Sequence, residues 1–178
     1  MIDYPLSVKP RIYVETSVVS YLAARASRDA LTNFRQTLTH LWWERAQNDC
    51  ELFISGLVLT EIGRGDPAAA ARRQAFCERL AVLPGDVGSM ALAQRLLDSG
   101  LVPASELEDA LHIAEATLSG MDYLATWNFA HFVNLAAKYK LVQALVQWGY
   151  AAPLFVTPEE LFESLSGASH EPPAHPET

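Results

Sequence analysis

Short apolar runs alternate with longer helical segments along most of the chain. The runs are rich in β-branched and aromatic side chains, and they occupy positions 11–14, 51–54, 80–83, 123–126 and 154–156. Runs of this length and composition, bounded by polar or turn-forming residues, are typical of strands buried inside a sheet. The sequence therefore predicts five short strands spread along the chain.

The segments between these runs repeat apolar side chains at the period of an α-helix. Thr16 or Ser17 is suited to cap the first helix, because a hydroxyl oxygen accepts a hydrogen bond from a free N–H of the first turn. Ser55 and Asp66 are suited to cap two later helices. The predicted helices begin near Val18 and cover 30–48, 57–62, 67–79, 86–99, 103–120, 130–148 and 158–165.

Strands separated by helices of this length indicate βαβ units, in which successive strands run parallel. The predicted fold is a three-layer α/β/α sandwich with a central, mostly parallel sheet. Residues 11–165 are expected to form a single domain, preceded by a lead-in at 1–10. Residues 166–178 are polar and rich in proline, and they are expected to be a disordered tail.

Composition narrows the class of protein further. The chain has 178 residues, of which 50% are hydrophobic, and its 13 basic and 21 acidic residues give a net charge of −8. This balance argues against a broad basic face for nucleic acid, although it does not exclude an approach to phosphate through metal ions. No apolar run reaches the roughly 18 residues that span a membrane. The N-terminus lacks the pattern of a signal peptide, and Cys50 and Cys77 form no CxxC pair, so we expect a cytoplasmic protein without membrane contact.

Acidic residues recur near the ends of the predicted strands. Glu15 ends the first strand, Glu61 lies in the helix after the second, and Asp109 lies early in the helix at 103–120. Asp122 and Asn128 flank the fourth strand. Each residue alone has an ordinary explanation as a solvated loop or first-turn residue. In an open α/β sheet, however, the site lies outside the carboxyl ends of the strands, where several of these groups would meet.

A cluster of carboxylates in one cleft needs a cation. Two carboxylates about 5 Å apart repel by roughly 3 kcal/mol at an effective dielectric constant near 20, so three pairs would cost on the order of 10 kcal/mol. Oxygen ligands without histidine or cysteine suit Mg²⁺ or Mn²⁺ better than zinc. A nucleotide-binding protein has less support, because the chain contains no GxGxxG after the first strand and no GxxxxGK[ST]. An acyl-transfer enzyme has less support because the chain contains no GxSxG.

Four segments resemble the PIN-domain ribonucleases, in order and spacing, over roughly residues 11–158. They are IYVETSVVSYL, FISGLVLTEI, EDALHIAEA and GMDYLATWNFAHF. Many members of that family are VapC-like toxins of bacterial toxin–antitoxin pairs. The resemblance implies a PIN-like fold and an endoribonuclease that depends on Mg²⁺ or Mn²⁺. It also implies an RNA substrate, a small antitoxin partner that inserts a basic side chain into the acidic pocket, and a possible homodimer.

The resemblance also assigns roles to particular residues. Glu15, Glu61 and Asp109 become the metal ligands, and Thr16 or Ser17 orients the first carboxylate or a water. Asn128, two residues after Thr126, takes a catalytic position where many members have aspartate. Asp122 would supply the missing charge only if its side chain reaches the cleft.

Two departures from the family pattern keep a second function open. Asn128 carries no charge, and Glu15 is longer than the usual aspartate, so the alternative is a catalytically weakened module that binds RNA or protein. Arg25 and Arg28 are candidate contacts for the RNA backbone. His112, among apolar neighbours, is interpreted as a packed and hydrogen-bonded core residue, while the pair at 42–43 and the helix at 130–148 are possible contacts between copies.

Overall fold

Five short strands form one parallel sheet in the computed structural model, which describes residues 9–128 and 135–167. The strands are β1 (Arg11–Val14), β2 (Glu51–Ile54), β3 (Ala81–Val82), β4 (Tyr123–Ala125) and β5 (Leu154–Val156). Their spatial order is β3-β2-β1-β4-β5, and every neighbouring pair is parallel. The predicted parallel sheet is confirmed, with no antiparallel pair among the strands of the described ranges.

The central strand, β1, is paired on both sides. Tyr13 lies opposite Phe53 of β2 and Leu124 of β4. Ile12, Tyr13 and Val14 are completely buried, as expected for a strand that is covered by helices on both faces. This burial explains why the three residues after Arg11 are all apolar or aromatic rather than alternating with polar residues.

Helices cover both faces of the sheet and give the predicted three-layer sandwich. They are α1 (Thr16–Ala23), α2 (Ala30–Asp49), α3 (Gly56–Ile62), α4 (Pro67–Cys77), α5 (Ser89–Asp98), α6 (Leu107–Leu118), α7 (Leu135–Gln147) and α8 (Pro158–Gly167). In one layer α1 packs against α2, α3 and α4, and α8 packs against α2. The other layer contains α5 and α6, which pack closely against each other.

The helix caps follow the sequence with one correction. Asp66 accepts a hydrogen bond from Ala69 N at 2.8 Å and Ser55 accepts one from Val58 N at 3.4 Å, as predicted. The first helix, however, is capped by Glu15, whose carboxylate accepts from the N–H of Ser17. The helix therefore begins at Thr16, two residues earlier than predicted. The carboxylate of Glu15, rather than the hydroxyl of Thr16 or Ser17, accepts the hydrogen bond from the first turn.

Other boundaries differ by a few residues at the element ends. The strand β3 is shorter than the predicted run at 80–83, α5 begins at Ser89, and α6 begins at Leu107, four residues after Pro103. Part of the predicted helix at 130–148 falls on 129–134, outside the described residues. The predicted tail begins inside α8, which continues to Gly167, and positions 168–178 lie outside the described residues.

The core occupies both faces of the sheet and includes the tryptophans of α2. Trp42 is fully buried and Trp43 nearly so, with their rings packed edge to face. Neither ring is therefore available for contact with a second copy, which corrects that expectation. None of the helices in the described ranges is both long enough and apolar enough to cross a membrane.

Candidate active site at the carboxyl edge of the sheet

The candidate site lies where the chain leaves the two central strands in opposite directions. From β1 the chain continues to β2 and β3 on one side, whereas β4 continues to β5 on the other. Glu15 directly follows β1, and its backbone N–H donates to the carbonyl of Ala125 at the end of β4, at 3.1 Å. Ligands of open α/β sheets bind at such switch points, outside the carboxyl ends of the strands.

Glu15 is nearly buried and is held by three donors from two elements. Its Oε2 accepts from the backbone N–H of Ser17 at 3.0 Å, from the Ser17 hydroxyl, and from Thr126 Oγ1 at 2.9 Å. The other carboxylate oxygen, Oε1, lies 4.0 Å from Nε2 of His112. The carboxylate is thus fixed by one oxygen and presents the other to a second group.

Glu61 reaches the same place from α3. Its Oε2 accepts from the hydroxyl of Thr16 and interacts with His112 Nε2 at 2.9 Å. Burial raises the pKa of Glu61, but the hydrogen bond and charge of His112, together with the Thr16 hydroxyl, outweigh burial and hold that pKa below its usual range. Glu61 is therefore a carboxylate at neutral pH.

His112 connects the two glutamates and is only 3% exposed. Burial lowers the pKa of its imidazole, but the hydrogen bond to Glu61 and the negative charge of Glu15 outweigh burial, so the pKa is raised. Glu115 adds to this effect. A protonated imidazole at this position is therefore stabilised by the buried carboxylate of Glu15 and the partly buried carboxylate of Glu61.

Tyr13 supports His112 from the far side of the ring. Its hydroxyl lies 2.7 Å from His112 Nδ1, 2.8 Å from Ser55 Oγ and 3.3 Å from Glu115 Oε2. Burial raises the pKa of Tyr13 far above its ordinary value, so the phenol keeps its proton and donates it. The hydrogen bonds therefore form a continuous chain from Glu61 through His112 and Tyr13 to Glu115, buried at its centre and partly exposed at both ends.

Asp109 and Asn128 form a pair beside this group. The Asn128 amide lies 3.0 Å from one Asp109 carboxylate oxygen and 2.9 Å from the other, and it donates to both. The backbone N–H of Asn128 donates to Thr126 Oγ1 at 2.9 Å, and that hydroxyl donates to Glu15. Asp109 is therefore linked to Glu15 through two intervening residues.

Within the described residues, a metal ion is best matched by Glu15, Glu61 and His112. One ligand atom from each residue lies within 4.8 Å of the other two. His112 Nε2 lies 2.9 Å from Glu61 Oε2 and 4.0 Å from Glu15 Oε1. These three residues would hold a divalent cation through oxygen and nitrogen donors, which Mg²⁺ or Mn²⁺ accepts. Asp109, also predicted as a ligand, is not one of these three residues; its carboxylate accepts from the Asn128 amide.

Comparisons by sequence find no relative: no protein-family model matches the chain, and no curated protein is significantly similar to it. Comparison by structure does find similar folds. VapBC2 from Rickettsia felis, solved bound to a DNA fragment from its promoter, matches with a TM-score of 0.55 at 15% identity, over 83% of this chain and 98% of that chain. VapBC-1 from nontypeable Haemophilus influenzae matches with a TM-score of 0.51 at 16% identity, with the same coverage. The chain has a VapC-like PIN-domain fold.

In this PIN fold, the three hydroxyls that were predicted to support the site contact different glutamates. Ser17 and Thr126 contact Glu15, whereas Thr16 contacts Glu61 rather than the first carboxylate. His112 is buried and hydrogen-bonded as expected, yet it also belongs to the charged cluster, which the sequence interpretation missed. The available signal was its position three residues after Asp109, since residues at that spacing share one face of a helix.

Asp122 lies at the opposite edge of the PIN sheet. Its Oδ2 accepts from the backbone N–H of Arg11 at 2.8 Å, at the beginning of β1 rather than at its end. A four-residue strand therefore separates it from Glu15, about 13 Å at 3.3 Å per residue. Asp122 does not supply the charge that Asn128 lacks, because it precedes β4 instead of following it.

Arg25 and Arg28, the predicted RNA contacts, lie in the loop after α1. Both side chains are exposed. Arg25 lines a groove between α1 and α4, and the residues that line this groove do not include Arg28. The two arginines are therefore in different surroundings although they are three positions apart.

Proposed function

We propose that the protein is a metal-dependent endoribonuclease that hydrolyses phosphodiester bonds of RNA, and that it is the toxin of a toxin–antitoxin pair. The observation that carries this proposal is the convergence of Glu15, Glu61 and His112 at the switch point of a VapC-like PIN fold. VapBC proteins are toxin–antitoxin complexes, and two of them share this fold. That likeness supports both the nuclease activity and the partner.

The residues present fit a hard divalent cation such as Mg²⁺ or Mn²⁺. Glu15 and Glu61 offer carboxylate oxygens, and His112 offers a nitrogen that Mn²⁺ accepts more readily than Mg²⁺ does. A cation bound there would offset the repulsion between the carboxylates, lower the pKa of a bound water and neutralise a phosphate oxygen. Asp109 lies close enough through Asn128 and Thr126 to act beside this set, which keeps it in the proposed catalytic group.

The neighbouring side chains orient the proposed ligands. Ser17 and Thr126 fix one oxygen of Glu15, Thr16 fixes one oxygen of Glu61, and Tyr13 orients the His112 ring through Nδ1. In the reaction, the oxygen of a water forms a bond to phosphorus and the bond from phosphorus to the 3′ oxygen breaks. The water's proton is released, the departing oxygen takes up a proton, and the products carry a 5′-phosphate and a 3′-hydroxyl.

The proposed partner is a small antitoxin with a basic side chain. The candidate site is acidic in a protein of net charge −8, so a lysine or arginine placed against Glu15 and Glu61 would compete directly with the metal. A second copy of the chain is a further proposed partner. Both partners rest on the same likeness to VapBC complexes.

Asn128 favours the alternative function, a PIN-like module with weakened catalysis. Its amide occupies both oxygens of Asp109 in place of a second negative charge. Such a module would bind RNA or protein, hold metal weakly and lose nothing when Asp109 is changed. The same experiment tests both functions.

Cleavage of a mixed, end-labelled RNA pool would be measured with Mn²⁺ and with EDTA, using protein free of any antitoxin. We expect cleavage with Mn²⁺, none in EDTA, and at least about a hundredfold loss in Glu61→Gln, because that variant removes a charge that holds the cation. Asp109→Asn is expected to lose at least about tenfold. Glu44→Gln removes an equal charge from an exposed position on α2 and should cleave normally.

Cleavage that persists in EDTA, or that is equal in Glu61→Gln, would contradict a metal nuclease with this site. Absence of cleavage by the folded wild-type protein would support the binding module. Analysis of the product ends then separates this mechanism from cleavage by the RNA's own 2′-hydroxyl, which leaves a cyclic phosphate instead of a 5′-phosphate.

A further inference from the structure

A groove of about 600 Å³ lies between the C-terminal end of α1 and the N-terminal half of α4. Small side chains from both helices, including Ala23, Ala24 and Ala69, leave the space open, and three arginines line it: Arg25, Arg72 and Arg73. This is a local concentration of positive charge in a chain with only 13 basic residues and a net charge of −8. The proposed catalysis does not use any of these arginines.

Two of the arginines are oriented by backbone carbonyls. Arg72 Nε donates to the carbonyl of Ala23 at 3.1 Å, which ties α4 to the end of α1. Arg73 donates from Nε to the carbonyl of Ile62 at 2.8 Å and from Nη2 to that of Arg64 at 2.5 Å. These contacts neutralise no charge, because their acceptors are uncharged carbonyls.

The third arginine is carried by a loop that is itself fixed. The side chain of Gln36, only 7% exposed, donates to the carbonyl of Arg25 at 3.0 Å and accepts from the N–H of Ser27 at 2.9 Å. Asn33 donates to the carbonyl of Ser27 at 3.2 Å. A preorganised loop loses little conformational entropy when its arginine binds a ligand.

One acidic residue, Asp66, also lines the groove. Its carboxylate caps α4 by accepting from Ala69 N at 2.8 Å and keeps its charge, so three arginines and one aspartate leave the lining net positive. At the end nearest the acidic cluster, Arg64 pairs with Glu108 at 2.8 Å, next to Asp109 in the sequence. The arginine series therefore begins at the rim of the acidic cluster and extends away from it.

Both walls of the groove lead directly from the candidate site. One wall is α1, whose first residue, Thr16, bonds to Glu61, and whose 8 residues span about 12 Å at 1.5 Å per residue. The other wall follows Glu61 through the turn at 63–65 into α4. The groove therefore lies about the length of α1, roughly 12 Å, from the Thr16–Glu61 contact, and a single strand that reaches both would span a few nucleotides.

We propose that the groove formed by Arg25, Arg72 and Arg73 binds the sugar–phosphate backbone of single-stranded RNA beside the cleavage site. This assignment rests on the proposed function, of which it specifies the substrate's path. Arginine forks match phosphate oxygens in geometry as well as charge. RNA fits better than an acidic protein segment, because α1 leads from the proposed cleavage site to the groove and an RNA strand cleaved at that site must continue along the protein surface.

The test is the binding of a fluorescein-labelled, mixed-sequence RNA of about 12 nucleotides, followed by anisotropy in EDTA so that the RNA stays intact, at several salt concentrations. The double variant Arg25→Gln/Arg72→Gln is expected to bind about tenfold more weakly. Its plot of log affinity against log salt should be shallower by about 1.4, since each single-strand phosphate contact contributes about 0.7. Arg72→Lys should bind with an affinity between those of wild type and the double variant, because lysine keeps the charge but lacks the planar fork.

Arg79→Gln is a matched control that removes the same charge from an exposed position outside the groove, and it should change affinity less than twofold. An equal loss in this control, or an unchanged double variant, would overturn the proposal. So would displacement of the RNA by polyglutamate of equal charge as effectively as by unlabelled RNA, which would assign the groove to an acidic protein segment. If Arg72→Gln fails to fold, the RNA affinities of Arg25→Gln and Arg72→Lys still test the role of the groove.

Cleavage assays with Mn²⁺ separate this proposal from the proposed nuclease. If the wild-type protein cleaves RNA and the groove variants bind and cleave it normally, the proposed role of the groove is rejected and the proposed nuclease activity stands. If the wild-type protein never cleaves RNA but the groove variants bind RNA more weakly, the proposed role of the groove stands and the proposed nuclease activity is rejected.

Discussion

His112 acts as an internal counter-ion for Glu15 and Glu61 in the metal-free protein. The raised pKa of His112 adds stability that is complete below its unfolded value near 6.5 and is lost as the pH rises through the folded value. The lowered pKa of Glu61 adds stability that is complete above about 4.5 and is lost as the pH falls through its folded value. Both contributions are therefore present together between these two unfolded values.

This linkage predicts the pH dependence of a His112→Gln variant. In EDTA, the loss of unfolding free energy relative to wild type should be largest between about pH 4.5 and 6.5 and should shrink at alkaline pH. Urea unfolding at a series of pH values measures it. A loss that is constant over the whole series would mean that the histidine contributes through packing alone.

Replacing Asn128 by aspartate, the residue that many PIN-domain ribonucleases have at this position, should lower the stability of the metal-free protein. Asn128→Asp would replace two hydrogen bonds to Asp109 by repulsion between two carboxylates, which we expect to lower the unfolding free energy in EDTA by about 1–3 kcal/mol. Mn²⁺ should recover more of the stability of this variant than of wild type, because the added carboxylate binds cations. Denaturation with and without Mn²⁺ gives the comparison, and a variant as stable as wild type in EDTA would contradict the account.

At the scale of elements, the loop after α1 depends on a side chain from α2. Gln36→Leu removes both hydrogen bonds to Arg25 and Ser27, so we expect the unfolding free energy to fall by about 1–3 kcal/mol. Amide exchange in the segment 24–29 should accelerate as well. Gln47→Leu, an exposed change on the same helix, should stay within about 0.5 kcal/mol. Equal effects of the two substitutions would argue against this role of Gln36.

The elements themselves were largely predictable, because their signals are local. Apolar runs located all five strands, and Ser55 and Asp66 cap the helices that they were expected to cap. The cap of α1 was missed because a glutamate seldom folds back onto its own helix, and periodicity carries no information about such a contact.

The site was only partly predictable, because its contacts join distant positions. Glu61 meets His112 across 51 residues and Thr16 across 45. The strand-end rule brought Glu15 near Thr126, but it could not show which face of α6 turns inward. It therefore favoured Asp109 as a ligand, which stays a prediction, and it predicted correctly that His112 is buried without placing it beside the two glutamates. Whether Asp122 reaches the acidic cluster was left open for the same reason, since sequence alone does not show where its side chain lies.

Over the whole molecule, charge is divided rather than uniform. The net charge of −8 repels RNA at long range, an effect that salt screens beyond about 10 Å at 0.1 M. Binding would then depend on two adjoining local features, the acidic cluster with its proposed cation and the groove of arginines. Composition could exclude a broad basic face, but only the fold brings Arg25 beside α4.

The pairing of β1 with β4 has a consequence for protein synthesis. Glu15 and Thr126 are 111 residues apart in the chain, and a ribosome adding about 5–20 residues per second needs about 6–22 s to make that stretch. Until it has done so, Glu15 lacks Thr126 and the central strand lacks one neighbour. The nascent chain consequently carries an incomplete site through most of its translation, and any activity at that site begins only once the residues around Asn128 have left the ribosome.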